Sequence, residues 1–231
     1  MSELVRDSED NIKCKVVLIG RSGVGKTSII SRYTTDNFKE SLMLTAGPSF
    51  NVKIMEFPEE KEKIKFEIWD TAGQERYRSM AKTFYINASS CVLVYDITVK
   101  KSFDEIKEYW APQVKENAPK DTSMWLLILI IIIYITLVLI LAGNKSDKYM
   151  NAEVTDEEGK ALAKEINAIY LRTSAKLNSS IDEIFNNIGK KILNPNFEVT
   201  AHLTKEEMIR KSEQLRRGQT NNDNRRTGCC G

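Results

Sequence analysis

Gly20-Arg-Ser-Gly-Val-Gly-Lys-Thr27 lies between an apolar, β-branched run, Cys14–Ile19 (CKVVLI), and an amphipathic stretch, Gly25–Tyr33. It satisfies G-x-x-x-x-G-K-S/T at every fixed position. The loop thus follows a strand and opens a helix, the setting that phosphate-binding chemistry needs. The glycines let the backbone fold tightly, so that several N–H groups point at phosphate oxygens. The helix N-terminus adds positive potential. Ser22, Gly23, Val24, Gly25, Lys26, Thr27 and Ser28 are therefore the first candidate nucleotide contacts. Lys26 would neutralise the β- and γ-phosphates, and the Thr27 hydroxyl is a hard oxygen suited to Mg²⁺.

The remaining chain alternates in the same way. Phe50–Phe57 and Ile64–Trp69 read as strands, with the charged Glu59–Lys63 between them as a hairpin turn. Cys91–Tyr95 reads as a buried strand. Ser102–Val114 carries Phe103, Ile106, Trp110 and Val114 at helical spacing. Thr155-Asp-Glu-Glu opens a helix to Ile166 with a capping box. Ala168–Leu171 is a short strand, Ile181–Leu193 a helix stopped by Asn194-Pro195, and residues 74–87 are partly helical. Strands alternating with helices give the expected fold class, α/β: a parallel sheet with helices on both faces. Residues 1–12 form a loose polar lead, 13–193 the domain, and 194–231 a flexible tail in which Thr204–Arg217 can form a short helix.

Charge and cysteine usage narrow the function. Lys+Arg is 34 against Asp+Glu 32, a net charge of +2, which gives no case for a nucleic-acid partner. Seven bases and five acids fall in residues 194–231, so the tail holds the whole excess and the body is neutral. With one histidine, His202, histidine-based triads and multi-histidine metal sites are nearly excluded. Four cysteines, two in apolar runs and two at the end, do not make a disulfide scaffold. A reducing, intracellular setting is expected, and the polar N-terminus has no apolar segment of the secretory kind.

Two further constellations complete a site. Trp69-Asp-Thr-Ala-Gly-Gln74 follows a strand, so Asp70 sits at its C-terminal end, where a carboxylate can hold Mg²⁺ through water. The Gly73 N–H can contact a γ-phosphate, and Gln74 can orient the attacking water. In Asn144-Lys145-Ser-Asp147, the aspartate can accept from guanine N1–H and N2–H₂, donors that adenine lacks. Ser174-Ala175-Lys176 after a strand supplies a second base-contacting loop.

With these motifs in order, GRSGVGKTS (20–28), WDTAGQERYRSM (69–80), VYDIT (94–98), GNKSD (143–147) and TSAK (173–176), the chain resembles the Ras superfamily of small GTPases, and within it the Rab branch. KFEIWDTAGQERY and IDEIF look most like the early-endosomal Rabs. The resemblance covers about residues 13–193. It implies a P-loop small G-domain, a mostly parallel six-stranded α/β sheet with helices on both faces, and a switch between GTP and GDP states, with Mg²⁺ as cofactor and slow unaided hydrolysis. Switch I would centre on Thr45, whose hydroxyl would join Mg²⁺ in the GTP state, and switch II would run from Gly73 to about Lys82. Phe50, Trp69 and Phe84 match the effector-facing triad. Implied partners are an exchange factor, a GTPase-activating protein, effectors, the prenylation machinery and a GDP-dissociation inhibitor. The chain departs from the pattern at Pro48, at Phe84-Tyr85-Ile86-Asn87, and at Arg172, where the family often has an acid. These touch partner choice.

Trp125–Ala142 is an uncharged run of 18 residues, long enough by hydropathy for a membrane span. Leu137–Leu141 can be the strand that leads into Gly143-Asn144. About 125–136 has no place in the family pattern, and three readings stand: a membrane span, a lineage-specific insertion, or a non-native segment read through in frame. With the first comes an alternative function, a Rab-like membrane protein with impaired nucleotide binding; a P-loop ATPase or nucleotide kinase is a further alternative. The end, Gly228-Cys229-Cys230-Gly231, is not a C-a-a-X box. It resembles the Rab cysteine pair that takes two geranylgeranyl chains, which would place the protein on the cytoplasmic face of an intracellular membrane, with a cytosolic pool.

Overall fold

The structure, a computed structural model, describes residues 4–40, 45, 47, 49–71, 88–116 and 137–197. All belong to one compact unit, Met1–Glu198. The second unit, Val199–Gly231, lies outside the described residues, and with it the expected tail helix and Cys229 and Cys230. Residues 125–136 and 74–87 lie outside them too.

β1 (Ile12–Ile19) runs through the middle of a six-stranded sheet, parallel to β3 (Glu62–Asp70) on one side and to β4 (Ser90–Asp96) on the other. β2 (Ser49–Phe57) pairs antiparallel with β3 at one edge. β5 (Val138–Asn144) and β6 (Ile169–Arg172) extend the other side in parallel, giving the order β2-β3-β1-β4-β5-β6. Parallel strands need cover on both faces, which is why β4 reads as an unbroken buried run. Alternate residues of β1 feed two cores. Cys14, Val16 and Leu18 meet Ile29, Ile30 and Tyr33 of α1 (Lys26–Thr35) and Ile184, Phe185 and Ile188 of α5 (Ile181–Leu193). Val17 and Ile19 meet Phe103 of α2 (Lys100–Glu105), Ile106, Trp110, and Leu162 and Ala163 of α4 (Asp156–Glu165). The expected fold class is the one observed.

Several boundaries differ from the sequence reading for local reasons. The hairpin strands are longer, and the turn at 58–61 is closed by Lys61 in the left-handed region (φ 57°). The helix read at 102–114 spans residues 100–116 and includes a π-helical turn, Ile106–Trp110, between α2 and α3 (Ala111–Glu116). Its buried residues Ile106, Trp110 and Val114 repeat every four positions, wider than the 3.6-residue α-turn, and the π turn takes up the difference. At α4 the capping box forms as read: Thr155 Oγ1 accepts from the Glu158 N–H at 3.2 Å, and Glu158 Oε2 from the Thr155 N–H at 2.9 Å. Residues 138–142 of the long apolar run belong to β5. No helix among the described residues is long and apolar enough to cross a membrane.

The N-terminal lead is a correction. Residues 4–12 are not loose: they fold against the start of β3. Asp7 Oδ1 accepts from the N–H groups of Glu9 and Asn11, both at 3.0 Å, and Asp7 Oδ2 pairs with Lys65 at 3.0 Å. Arg6 makes a two-pronged pair with Glu62 at 2.8 and 3.0 Å, and the Lys13 N–H donates to the Val5 carbonyl. An Asx turn and two ion pairs satisfy a segment with little apolar surface, a pairing between distant residues that periodicity does not reveal. The Lys65 ammonium first, then the two backbone donors, hold the Asp7 carboxyl well below the usual carboxylate range. A depressed folded pKa gives stability that is present above the unfolded value of about 3.9 and lost as pH falls through the folded value. Urea titrations of D7N are therefore expected to match the wild type at the most acidic pH. The variant should fall below the wild type as pH rises from the folded value through about 4, and the deficit should then stay constant toward neutrality.

Candidate nucleotide site

The site is built on the C-terminal ends of the parallel strands. After β1 the chain turns at Gly20 (φ 144°), where a Cβ would stand 2.1 Å from the Val94 carbonyl oxygen of β4. At Gly25 (φ 99°) a Cβ would stand 2.3 Å from the Asn144 amide nitrogen. These two glycines let the loop pass close to β4 and β5. α1 then begins at Lys26 with neither a side-chain cap nor an acidic residue in its first turn, so its N-terminal donors face the loop.

Lys26 is 5% exposed, and its Nζ donates to the carbonyls of Gly20 at 2.9 Å and Arg21 at 3.1 Å. Burial pushes its pKa down to about 8, against the pull of the Asp70 carboxylate. Thr27 Oγ1 donates to Asp70 Oδ2 at 2.6 Å and lies 2.8 Å from Thr45 Oγ1. Asp70 Oδ1 is buried and has no hydrogen-bond partner, and burial raises the carboxyl's pKa over the opposing effects of Thr27 and Lys26. Two hydroxyls and a carboxylate with an unsatisfied buried oxygen form a set of hard oxygens, which suits a cation such as Mg²⁺.

At the other end, Asn144 closes β5. Its Nδ2 donates to the Val24 carbonyl at 2.8 Å, and its Oδ1 accepts from Thr173 Oγ1 at 3.3 Å. Lys145 is in the left-handed region (φ 65°) and pairs with Asp96 at 2.7 Å. Asp147 stands in a 3₁₀ turn (Ser146–Asn151), and its Oδ1 accepts from Ser174 Oγ at 2.6 Å. Arg32 Nε donates to the Ala175 carbonyl at 2.9 Å, and Lys176 pairs with Glu40 at 2.9 Å.

These residues enclose one cavity of about 230 Å³. Ser22, Gly23, Gly25, Lys26, Thr27, Ser28, Thr45, Asn144, Lys145, Asp147, Ala175 and Lys176, all singled out from the sequence, line it. Val24, Asp70 and Ser174 stand behind, bonded to Asn144, Thr27 and Asp147 respectively. Gly73, Gln74 and Phe84 lie outside the described residues. Phe50 and Trp69 meet edge-on at 5.1 Å, with Phe50 49% exposed beside exposed Val52 and Ile54. Sequence reasoning missed Phe38, Lys39, Glu40 and Lys148, which also line the cavity. A lone aromatic in the polar run TTDNFKE was a signal for Phe38. Arg32, whose guanidinium lies 6.0 Å from the Phe38 ring and bonds Asp36, fixes that wall, and no motif marks it.

A phosphate-loop signature at the end of a central parallel strand, sharing a cavity with an Asn-Lys-x-Asp loop, defines a P-loop small G-domain. The Ras family profile matches residues 15–194. The chain is 38% identical over 202 residues to Ras-related protein RabJ of Dictyostelium discoideum, spanning 87% of this chain and 72% of that protein. It is 38% identical over 179 residues to Ras-related protein Rab-13 of Mesocricetus auratus, spanning 78% and 79%. It is 36% identical over 178 residues to GTP-binding protein ypt2 of Schizosaccharomyces pombe, spanning 77% and 80%. The chain belongs to the Ras family and, within it, to the Rab small GTPases: it is a GTPase involved in vesicle trafficking.

Proposed function

We propose that the cavity holds GDP or GTP with Mg²⁺, and that the chain cycles between the two to recruit effectors to an intracellular membrane. The observation that carries this reading is the shared cavity. Lys26 and Thr27 line one part, Asn144 and Asp147 another, and the Asn144–Val24 bond fastens the two loops together. Ser22, Gly23, Val24, Gly25 and Ser28 cradle the phosphates with Lys26. Thr27, Thr45 and Asp70 hold Mg²⁺, which neutralises phosphate charge when bound. Asp147 accepts from the guanine donors, steadied by Ser174, while Asn144, Lys145, Ala175 and Lys176 complete the base end. Gln74 orients the water that attacks the γ-phosphorus and Gly73 contacts the γ-phosphate. Phe50, Trp69 and Phe84 face effectors. An exchange factor, a GTPase-activating protein and a GDP-dissociation inhibitor regulate the cycle. Geranylgeranyl chains on Cys229 and Cys230 anchor the tail, two being needed for stable attachment. The match of KFEIWDTAGQERY and IDEIF to early-endosomal Rabs supports an endosomal membrane.

Full-length protein purified without added nucleotide is expected to release guanine nucleotide on denaturation. Fluorescent GDP bound to it should be displaced by GTP and not by equimolar ATP, because a site built around donors rejects a base that lacks them by large factors. Equal displacement by ATP would overturn the reading. So would well-folded protein that carries no nucleotide and binds none, with or without residues 125–136.

A further inference from the structure

Arg172 closes β6 one residue before the loop that carries Ser174, Ala175 and Lys176. It is 9% exposed. Its Nη1 pairs with Asp156 Oδ2 at 2.8 Å, at the first position of α4. The other Asp156 oxygen accepts from Tyr170 OH at 2.7 Å. The guanidinium carbon lies 5.5 Å from the centre of the Tyr149 ring, in the same 3₁₀ turn as Asp147. Nε and Nη2 of Arg172 are buried with no hydrogen-bond partner. A guanidinium with unmatched donors is costly to bury, and stacking on an aromatic face repays part of that cost. The one cation therefore joins three pieces: the end of β6, the start of α4, and the turn that bears Asp147. Two backbone bonds run beside it: the Ser146 N–H to the Thr173 carbonyl at 3.0 Å, and the Thr173 N–H to the Gly143 carbonyl at 2.9 Å. The Ser174 hydroxyl then holds Asp147 itself.

We propose that Arg172 is a positioning residue for base recognition. Clamped by Asp156 and stacked on Tyr149, it fixes the Asp147 turn against the Ser174 loop, and so sets how long GDP stays bound and how strongly guanine is preferred. The proposal rests on Asp147 being the base reader. Residues that touch neither ligand nor reader can change coupling between elements enough to shift affinity by about tenfold. Losing the stack should loosen the turn, while losing the ion pair leaves a buried charge unpaired.

The test compares GDP with inosine diphosphate, which lacks the 2-amino donor, in full-length wild type, R172Q, Y149L and the charge-swapped R172D/D156R. A fluorescent GDP analogue chased with excess GDP gives the dissociation rate. R172Q should release GDP about tenfold faster and lose several-fold of the GDP-over-inosine-diphosphate preference. The swap re-forms the ion pair but takes the guanidinium off Tyr149 and the acceptor away from Tyr170, so it should recover only part of each loss and leave release about threefold faster than wild type. Y149L alters a residue that is 40% exposed and keeps the ion pair. It tests the stack in a chain expected to fold, and about a threefold faster release is predicted. A general loss of stability would weaken both nucleotides in proportion. That pattern, or wild-type release rates in both R172Q and Y149L, would overturn the proposal. A wild-type protein without preference for GDP over inosine diphosphate would instead remove the base-reading assignment beneath it.

Discussion

Lys26→Ala is expected to weaken GDP and GTP binding by at least about a hundredfold. The substitution removes a buried cation, and each charge-assisted contact to phosphate contributes roughly 1.5–3 kcal/mol. The loop geometry makes the loss hard to repair. Gly20 and Arg21 each lose the donor their carbonyl now has, and the first turn of α1 contributes no other cation. Asp70 loses the nearby positive charge that acts against the burial of its carboxyl. Isothermal titration with GDP gives the affinity, and a circular dichroism melt confirms that the variant is folded. Retention of GDP affinity within fivefold by a folded K26A would show that the buried amine serves the loop and not the phosphates.

The second large effect is a change of base. Asp147→Asn is expected to cost about a hundredfold or more in GDP affinity, because an amide replaces one of two acceptors by a donor facing a guanine donor. The Ser174 hydroxyl decides which way the amide turns. It donates to Asp147 Oδ1, so the asparagine oxygen stays with Ser174 and the amide nitrogen takes the other carboxylate position. Xanthosine diphosphate, with a carbonyl where guanine has its 2-amino group, then becomes the better partner. Competition between the two nucleotides reads the exchange directly. A D147N protein that still prefers GDP to xanthosine diphosphate would exclude Asp147 from base recognition.

Much of this was legible because the chemistry demands local spacing. The phosphate loop must place Gly20, Gly25, Lys26 and Thr27 within eight residues, because one turn and one helix start do the work. The capping box at Thr155 is legible for the same reason, since both bonds lie within three residues. The opposing walls of the cavity are legible one motif at a time, though only the fold shows that they meet. Arg32 to Ala175, Lys176 to Glu40 and Arg172 to Asp156 are bonds between distant positions, and charged residues carry no periodic signature. The N-terminal lead escaped for that reason as well: Arg6 and Asp7 find Glu62 and Lys65 across more than fifty residues. The π turn escaped because its four-residue spacing also fits an ordinary helix.

The Asn144 amide reaches back across 120 positions to the Val24 carbonyl. A chain still emerging from the ribosome carries its phosphate loop long before that partner, and before the loop after β6 that steadies Asp147. Contacts of such long sequence separation form late, since the ends of a large loop must first be brought together. Nascent protein therefore gains the joined form of its pocket only after β5 and the loop that follows β6 have emerged, and cellular GTP meets a finished receptor rather than a template growing around it.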